Sequence, residues 1–154
     1  MHQICSTLNR FRPAAPLVLR VVLGGLFLWH GIDKFDTGIS MVEGAFEGWG
    51  VPAPGLTAPL TAIVEVVAGA ALVLGIGTRI AAALLSIVMI GAIIYVKQEL
   101  GIISSQPMPG AELDLALLAG LVALIVIGPG RISLDQQLDI EPREASDPRE
   151  PALG

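Results

Sequence analysis

The main pattern in this sequence is an alternation of long apolar runs with short polar breaks. Four apolar runs, at residues 16–35, 56–77, 80–96 and 112–127, are separated by segments rich in glycine, proline and charged residues. About 20 apolar residues in an α-helix are enough to cross a hydrocarbon core of about 30 Å. We therefore predict an all-α fold, a bundle of four transmembrane helices.

The segment between the first two runs, residues 36–58, has a different pattern. Its large apolar side chains recur at helical spacing, and its two glutamates fall on the opposite face. The apolar residues are Ile39, Val42, Phe46 and Trp49, and the glutamates are Glu43 and Glu47. Such a pattern is typical of a short amphipathic helix that lies in the membrane interface.

The polar ends of the chain divide it into three parts. We predict a cytoplasmic arm at 1–15, the membrane domain at 16–133 and a disordered acidic cytoplasmic tail at 134–154, which is rich in acids and poor in aromatic residues. The first apolar run follows Arg10 and Arg12 and could be read as a secretory signal. It is long for a signal and lacks a small-residue cleavage site, so we expect a retained helix.

Composition supports the membrane class. The chain is 53% hydrophobic and 15% charged, against about 25% charged residues in soluble domains. The lysines and arginines are scattered, which argues against nucleic-acid binding. The single cysteine, Cys5, excludes a disulfide framework and a cysteine-based metal site. We predict no metal site.

The distribution of lysine and arginine predicts the orientation of the helices. Most of these residues lie in the arm, in the turns after the second and fourth runs, and in the tail, whereas Lys34 and Lys97 lie at the opposite ends. The positive-inside rule then places both termini in the cytoplasm. We expect Arg20, inside the first run, to snorkel towards the cytoplasmic interface.

With this topology, ionisable and polar residues collect at the outer ends of all four helices. We call this set the polar layer. Its members are His30, Lys34, Glu65, Tyr95, Lys97, Glu112 and Asp114.

Glu65 is the member that most needs an explanation. It is the tenth residue of its apolar run, too deep for an interface residue, so it should be paired or face a polar cavity. For Lys97, Glu112 and Asp114, an ordinary interfacial position explains the residue equally well. Tyr95 is better explained as an interfacial anchor, and His30 as either a structural hydrogen-bonding group or a chemical one.

Several stretches resemble the DoxX family of small bacterial membrane proteins. The sequence L-W-H-G-I-D-K-F at 28–35 is similar to the H-G-x-x-K-F signature of that family, and W-G-V-P at 49–52, V-E at 64–65, the ending at 74–79 and G-P-G-R-I-S-L-D at 128–135 agree with it in order and spacing. The resemblance implies a four-helix protein of the bacterial cytoplasmic (inner) membrane. It also implies association with quinone-linked oxidoreductase complexes and with assemblies against oxidative stress.

Two functions fit these residues best. In the first, the chain is a subunit of a redox complex and binds a quinone in the polar layer, where His30, Lys34, Glu65 and Tyr95 could exchange protons with it. One cysteine and two histidines provide no electron carrier of the chain's own, so electrons would come from a partner or a bound cofactor. In the second, it is a non-catalytic scaffold that recruits soluble oxidoreductases. A proton or small-molecule pathway is a third alternative.

Overall fold

The computed structural model describes residues 14–98, 100–103 and 110–138, and every regular element within them is helical. The elements in chain order are α1 (Ala15–Thr37), α2 (Ile39–Gly48), α3 (Pro54–Leu74), α4 (Thr78–Gly91) continued by a π-helical turn (Ala92–Val96), α5 (Glu112–Ile127) and α6 (Leu134–Gln137). The predicted all-α class is confirmed for this part of the chain.

Three of these helices are long and apolar enough to cross a membrane. They are α1, α3 and the continuous helix Thr78–Val96 formed by α4 and its π turn. They match the first three predicted runs with shifts of a few residues at the ends. The helix α5 matches the fourth run but has only 16 residues, so its crossing of the membrane stays a prediction.

The helices α1 and α3 approach each other at three glycines. A Cβ atom at Gly24 would lie 2.7 Å from the backbone oxygen of Gly69, and one at Gly69 would lie 2.6 Å from the backbone nitrogen of Leu28. A Cβ at Gly31 would lie 2.8 Å from the backbone nitrogen of Val66. The absence of side chains at these positions lets the two backbones touch, a common way of packing helices in membranes.

A small apolar core lies among α1, α3, α4 and α5. Its large buried side chains are Leu23, Phe27, Leu72, Leu85, Met89, Leu121 and Leu124. Many other large apolar side chains are exposed, as expected for helices that face lipid. On α5, Leu121 and Leu124 are fully buried, and Leu117, Leu118 and Ile125 are partly buried against the core.

The amphipathic segment contains a helix, α2, which begins after a sharp break at Gly38. The φ angle of Gly38 is 97°, a value that glycine adopts easily and other residues rarely do. None of the residues of α2 is buried, and the rings of Phe46 and Trp49 lie 6.1 Å apart. The predicted helix is present, and its location in the membrane interface stays a prediction.

The structure differs from the prediction at the start of the tail. Leu134–Gln137 forms one helical turn, and the Ser133 hydroxyl accepts a hydrogen bond from the Gln136 N–H at 3.3 Å. Asp135 in this turn is fully buried. The folded domain therefore continues to residue 138. Residues 1–13 of the predicted arm at 1–15, and residues 139–154 of the tail, lie outside the described residues.

Candidate functional site

The deep carboxylate of α3 is paired with a base from α1. The Nζ atom of Lys34 lies 2.5 Å from Oε2 of Glu65, and it also lies 3.5 Å from the backbone oxygen of His30. The Glu65 side chain is 4% exposed and that of Lys34 is 20% exposed. Glu65 is therefore an almost fully buried carboxylate, and Lys34 is the base that compensates its charge.

The glycine contacts between α1 and α3 explain why these two side chains meet. Lys34 follows Gly31 by one helical turn, and Glu65 precedes Gly69 by one turn, so both lie beside a close approach of the two backbones. At such a separation a lysine and a glutamate can span the gap between the helices. We call the close contacts at Gly24, Gly31 and Gly69 the seam. The seam and the ion pair thus form one structural unit.

A second ion pair joins the ends of α4 and α5. The Nζ atom of Lys97 lies 3.9 Å from Oδ2 of Asp114, and the two side chains are 11% and 13% exposed. Lys97 directly follows the π turn, in which its N–H donates to the carbonyl of Ala92, five residues earlier, at 3.1 Å. Single π-helical turns are frequent at functional sites because they change the direction of the side chains that follow.

His30 lies near the carboxylates of both ion pairs. It is exposed, one helical turn before Lys34, and its charge interacts with the carboxylates of both Glu65 and Asp114. The structure thus gathers five of the seven predicted residues, from α1, α3, α4 and α5, into a polar cluster with the imidazole as its most accessible group.

Tyr95 and Glu112 are the two predicted residues outside this cluster. Tyr95 is in the π turn and is exposed, in agreement with an interfacial position. Glu112 is exposed at the start of α5, where its N–H donates to the carbonyl of Ile102 at 3.0 Å. Glu112 also interacts electrostatically with Asp114.

The chemistry available to the cluster is proton exchange and hydrogen bonding. Imidazole and ammonium groups can donate hydrogen bonds to a carbonyl oxygen, and a carboxylate can accept one from a hydroxyl. Within residues 14–98, 100–103 and 110–138, no group of three His, Cys, Asp or Glu side chains is arranged to hold a metal ion.

The opposite end of the bundle contains a second charged site that the sequence did not predict. Arg20 is 1% exposed, and its Nη2 donates to the carbonyl of Ile132 at 2.6 Å. The expected snorkelling of Arg20 to the membrane interface stays a prediction, but the guanidinium is covered by protein at this end of the bundle. It is buried because the segment after α5 folds over the guanidinium and supplies a carbonyl and a charge.

The charge comes from Asp135, which also caps α4. Its carboxylate accepts hydrogen bonds from the N–H of Gly77 at 2.6 Å, the N–H of Thr78 at 3.0 Å and the Thr78 hydroxyl at 2.9 Å. The carboxylate also interacts electrostatically with Arg20, and the Asp135 N–H donates to the carbonyl of Gly75 at 2.8 Å. We call Asp135 with these four partners the Asp135 clasp.

Two signals in the sequence point to the clasp. Arg20 is a lone cation inside an apolar run, and the motif at 128–135 ends in an aspartate directly after the last run. On the predicted topology both residues lie at the same side of the membrane. A buried charge seeks an opposite charge, so the pair could have been proposed from these positions.

Comparison with known proteins assigns the family. The chain is 39% identical over 134 residues to the "Uncharacterized membrane protein Rv3486" of Mycobacterium tuberculosis, covering 82% of each chain. It is 32% identical over 129 residues to the "Putative oxidoreductase CatD" of Bacillus subtilis, covering 83% of this chain and 90% of the relative. No solved structure matches. The DoxX family profile matches residues 15–98, which include α1 to α4, the ion pair and the π turn, and the chain therefore belongs to the DoxX family.

Proposed function

We propose that this protein is a membrane subunit of an oxidoreductase and that its polar layer binds a quinone-like ligand. The observation that carries the proposal is the buried Lys34–Glu65 pair with the accessible imidazole of His30 beside it. The name of the Bacillus subtilis relative supports the redox assignment. A buried ionisable pair inside a membrane helix bundle is costly to maintain, which favours a functional role.

Reduction of a quinone to a quinol takes up two electrons and two protons. His30 and Lys34 can donate hydrogen bonds to a quinone oxygen and deliver protons, and Glu65 can accept a hydrogen bond from a quinol hydroxyl. The electrons come from a partner redox protein or its cofactor. This chain supplies the binding site and the proton exchange.

The route of the ligand follows from the exposure of the site. His30 and Trp29 are exposed, whereas both carboxylates of the ion pairs are mostly buried. A quinone dissolved in the bilayer can therefore reach the imidazole first, with its ring against the apolar surface of α1. The ion pairs then lie behind the histidine, where water has little access.

Quinone retention tests this function. The protein is purified in mild detergent, extracted with organic solvent and analysed for quinone, beside Glu65→Gln and His30→Ala. We expect quinone in the wild type and about tenfold less in each variant, because His30→Ala removes a hydrogen bond to the ligand and Glu65→Gln replaces a charge-assisted hydrogen bond by a weaker neutral one, a loss of roughly 1.4 kcal/mol each.

Asp36→Asn is the matched control, since Asp36 is an exposed acid near the end of α1. It should retain quinone at the level of the wild type. A wild-type protein that holds no quinone, and takes up none from added ubiquinone analogues, would rule out the proposal.

A scaffold function is the second candidate. Lys34 and Glu65 satisfy each other at 2.5 Å, as a purely structural pair would. In that case soluble oxidoreductases co-purify with the wild type and with Glu65→Gln to the same extent, and no quinone is found.

The third candidate, a proton pathway, requires a proton flux in liposomes that depends on Glu65.

We also propose that the protein spans the bacterial cytoplasmic membrane with both ends inside. In a Cys5→Ser background, a cysteine at Met41 on α2 and one at Ile132 after α5 are both at exposed positions. A maleimide that does not cross membranes should label residue 41 in intact cells and residue 132 only after the cells are opened. Labelling in the reverse order would show the opposite orientation.

A further inference from the structure

Polar contacts hold both ends of α5, in addition to the apolar packing of Leu117, Leu118, Leu121, Leu124 and Ile125 against the core. Among its 16 residues, Leu121 and Leu124 are buried. Lipid tails solvate apolar side chains as well as a protein core does, so apolar contact alone drives helix association weakly in a membrane. The polar contacts at the two ends of α5 therefore contribute much of what fixes its place.

Those contacts lie at opposite ends of the helix. Near its start, Asp114 pairs with Lys97 at 3.9 Å. Near its end, Nε of Arg79 donates to the carbonyl of Ile125 at 3.0 Å. The chain then turns through Gly128 and Gly130, both with positive φ, and Asp135 binds its partners in the clasp.

The clasp is the strongest of these attachments. It combines three hydrogen bonds to a carboxylate, the favourable field at the N-terminus of α4 and the charge of Arg20. Nε and Nη1 of Arg20 make no hydrogen bond within the described residues. The guanidinium therefore depends on Asp135 for the compensation of its charge.

We propose that Asp135 is a positioning residue for α5 and, through this helix, for Asp114 in the polar layer. A helix of 16 residues is about 24 Å long and moves as a nearly rigid rod. Release of the chain at the Asp135 end lets α5 tilt, and a tilt changes the place of Asp114 beside Lys97 and His30. The clasp thus controls the geometry of the proposed quinone site from the other side of the bundle.

Distance measurements by double electron–electron resonance test the positioning role. In a Cys5→Ser background, nitroxide labels are placed at Ile32 on α1 and Leu113 on α5, two exposed positions close to the polar layer. Asp135→Asn keeps the shape of the side chain and removes its charge. We expect the distance distribution to shift and broaden in this variant.

Three variants keep the test decisive. Asp135→Glu retains the carboxylate and should restore most of the wild-type distribution. Gln137→Ala changes an exposed neighbour in the same helical turn and should have no effect. If Asp135→Asn fails to fold, Thr78→Val, which removes one of the three hydrogen bonds, should give a smaller shift in the same direction.

An unchanged Ile32–Leu113 distribution in a folded Asp135→Asn protein, or in folded Thr78→Val where the first variant fails to fold, would overturn the inference. The positioning role of Asp135 rests on the proposed function only for the identity of the ligand. The positioning role and the proposed function can therefore fail separately. Wild-type protein without quinone refutes the proposed function, whereas the distance shift can still appear. Quinone retained at the wild-type level in Asp135→Asn, with no distance shift, refutes the positioning role alone.

Discussion

Replacing Lys34 with methionine should destabilise the protein by about 3–5 kcal/mol, the usual cost of removing one member of a buried ion pair. The variant leaves the 4% exposed carboxylate of Glu65 without its partner at 2.5 Å. Glu65→Gln should cost less, about 1–2 kcal/mol, because the amide oxygen still accepts a hydrogen bond and Lys34 is 20% exposed and can extend to water. Thermal unfolding in detergent measures both values.

The double variant Lys34→Met/Glu65→Gln completes the cycle. With both charges removed, it should be more stable than Lys34→Met alone, since the uncompensated carboxylate is gone. Equal stability of the two single variants would contradict the asymmetry in burial. Simple additivity of the two changes would mean that the side chains do not interact in the membrane domain.

Gly69→Ala should separate α1 from α3 and destabilise the protein by about 1–3 kcal/mol, the range for an overpacked contact. The new Cβ would lie 2.6 Å from the backbone nitrogen of Leu28 and 2.9 Å from the backbone oxygen of Gly24. Backbone atoms cannot rotate away as side chains do, so the helices must move apart. The measurement is again thermal unfolding, combined with the quinone content.

Gly25→Ala is the matched control, because a Cβ at Gly25 meets no atom within 4 Å. Alanine is favoured over glycine inside helices by about 0.5–1 kcal/mol, so this variant should be neutral or slightly stabilising. A Gly69→Ala protein with wild-type stability and quinone content would show that the seam tolerates separation and does not position Lys34 and Glu65.

The helices and the need of Glu65 for a partner were accessible from the sequence for simple reasons. Apolar runs of membrane length give helices with few alternatives, and the bounds of α1, α3 and α4 agree closely with the predicted runs. A lone acid at the depth of Glu65 requires a partner. The partner itself was not determined, because Lys34 and Lys97 were both possible and the choice depends on which helices are neighbours.

The Asp135 clasp was missed because it joins distant parts of the chain. A tail rich in acids and poor in aromatics has the composition of a disordered segment, and composition averages over the one aspartate that is buried.

The π turn before Lys97 was missed for a different reason. Its sequence is as apolar as the helix before it, and the change from α to π hydrogen bonding leaves no mark in hydropathy.

The location of the cap on α4 has a consequence for synthesis. The carboxylate that binds the N–H of Gly77 belongs to a residue 58 positions later in the chain. At about 5–20 residues per second, the ribosome reaches Asp135 roughly 3–12 s after Gly77. During that interval the N-terminus of α4 has no cap, and Arg20 has no carboxylate to compensate its charge. The last described turn of the chain therefore completes the domain, because a chain that stops before it lacks both the cap of α4 and the segment that covers and compensates Arg20.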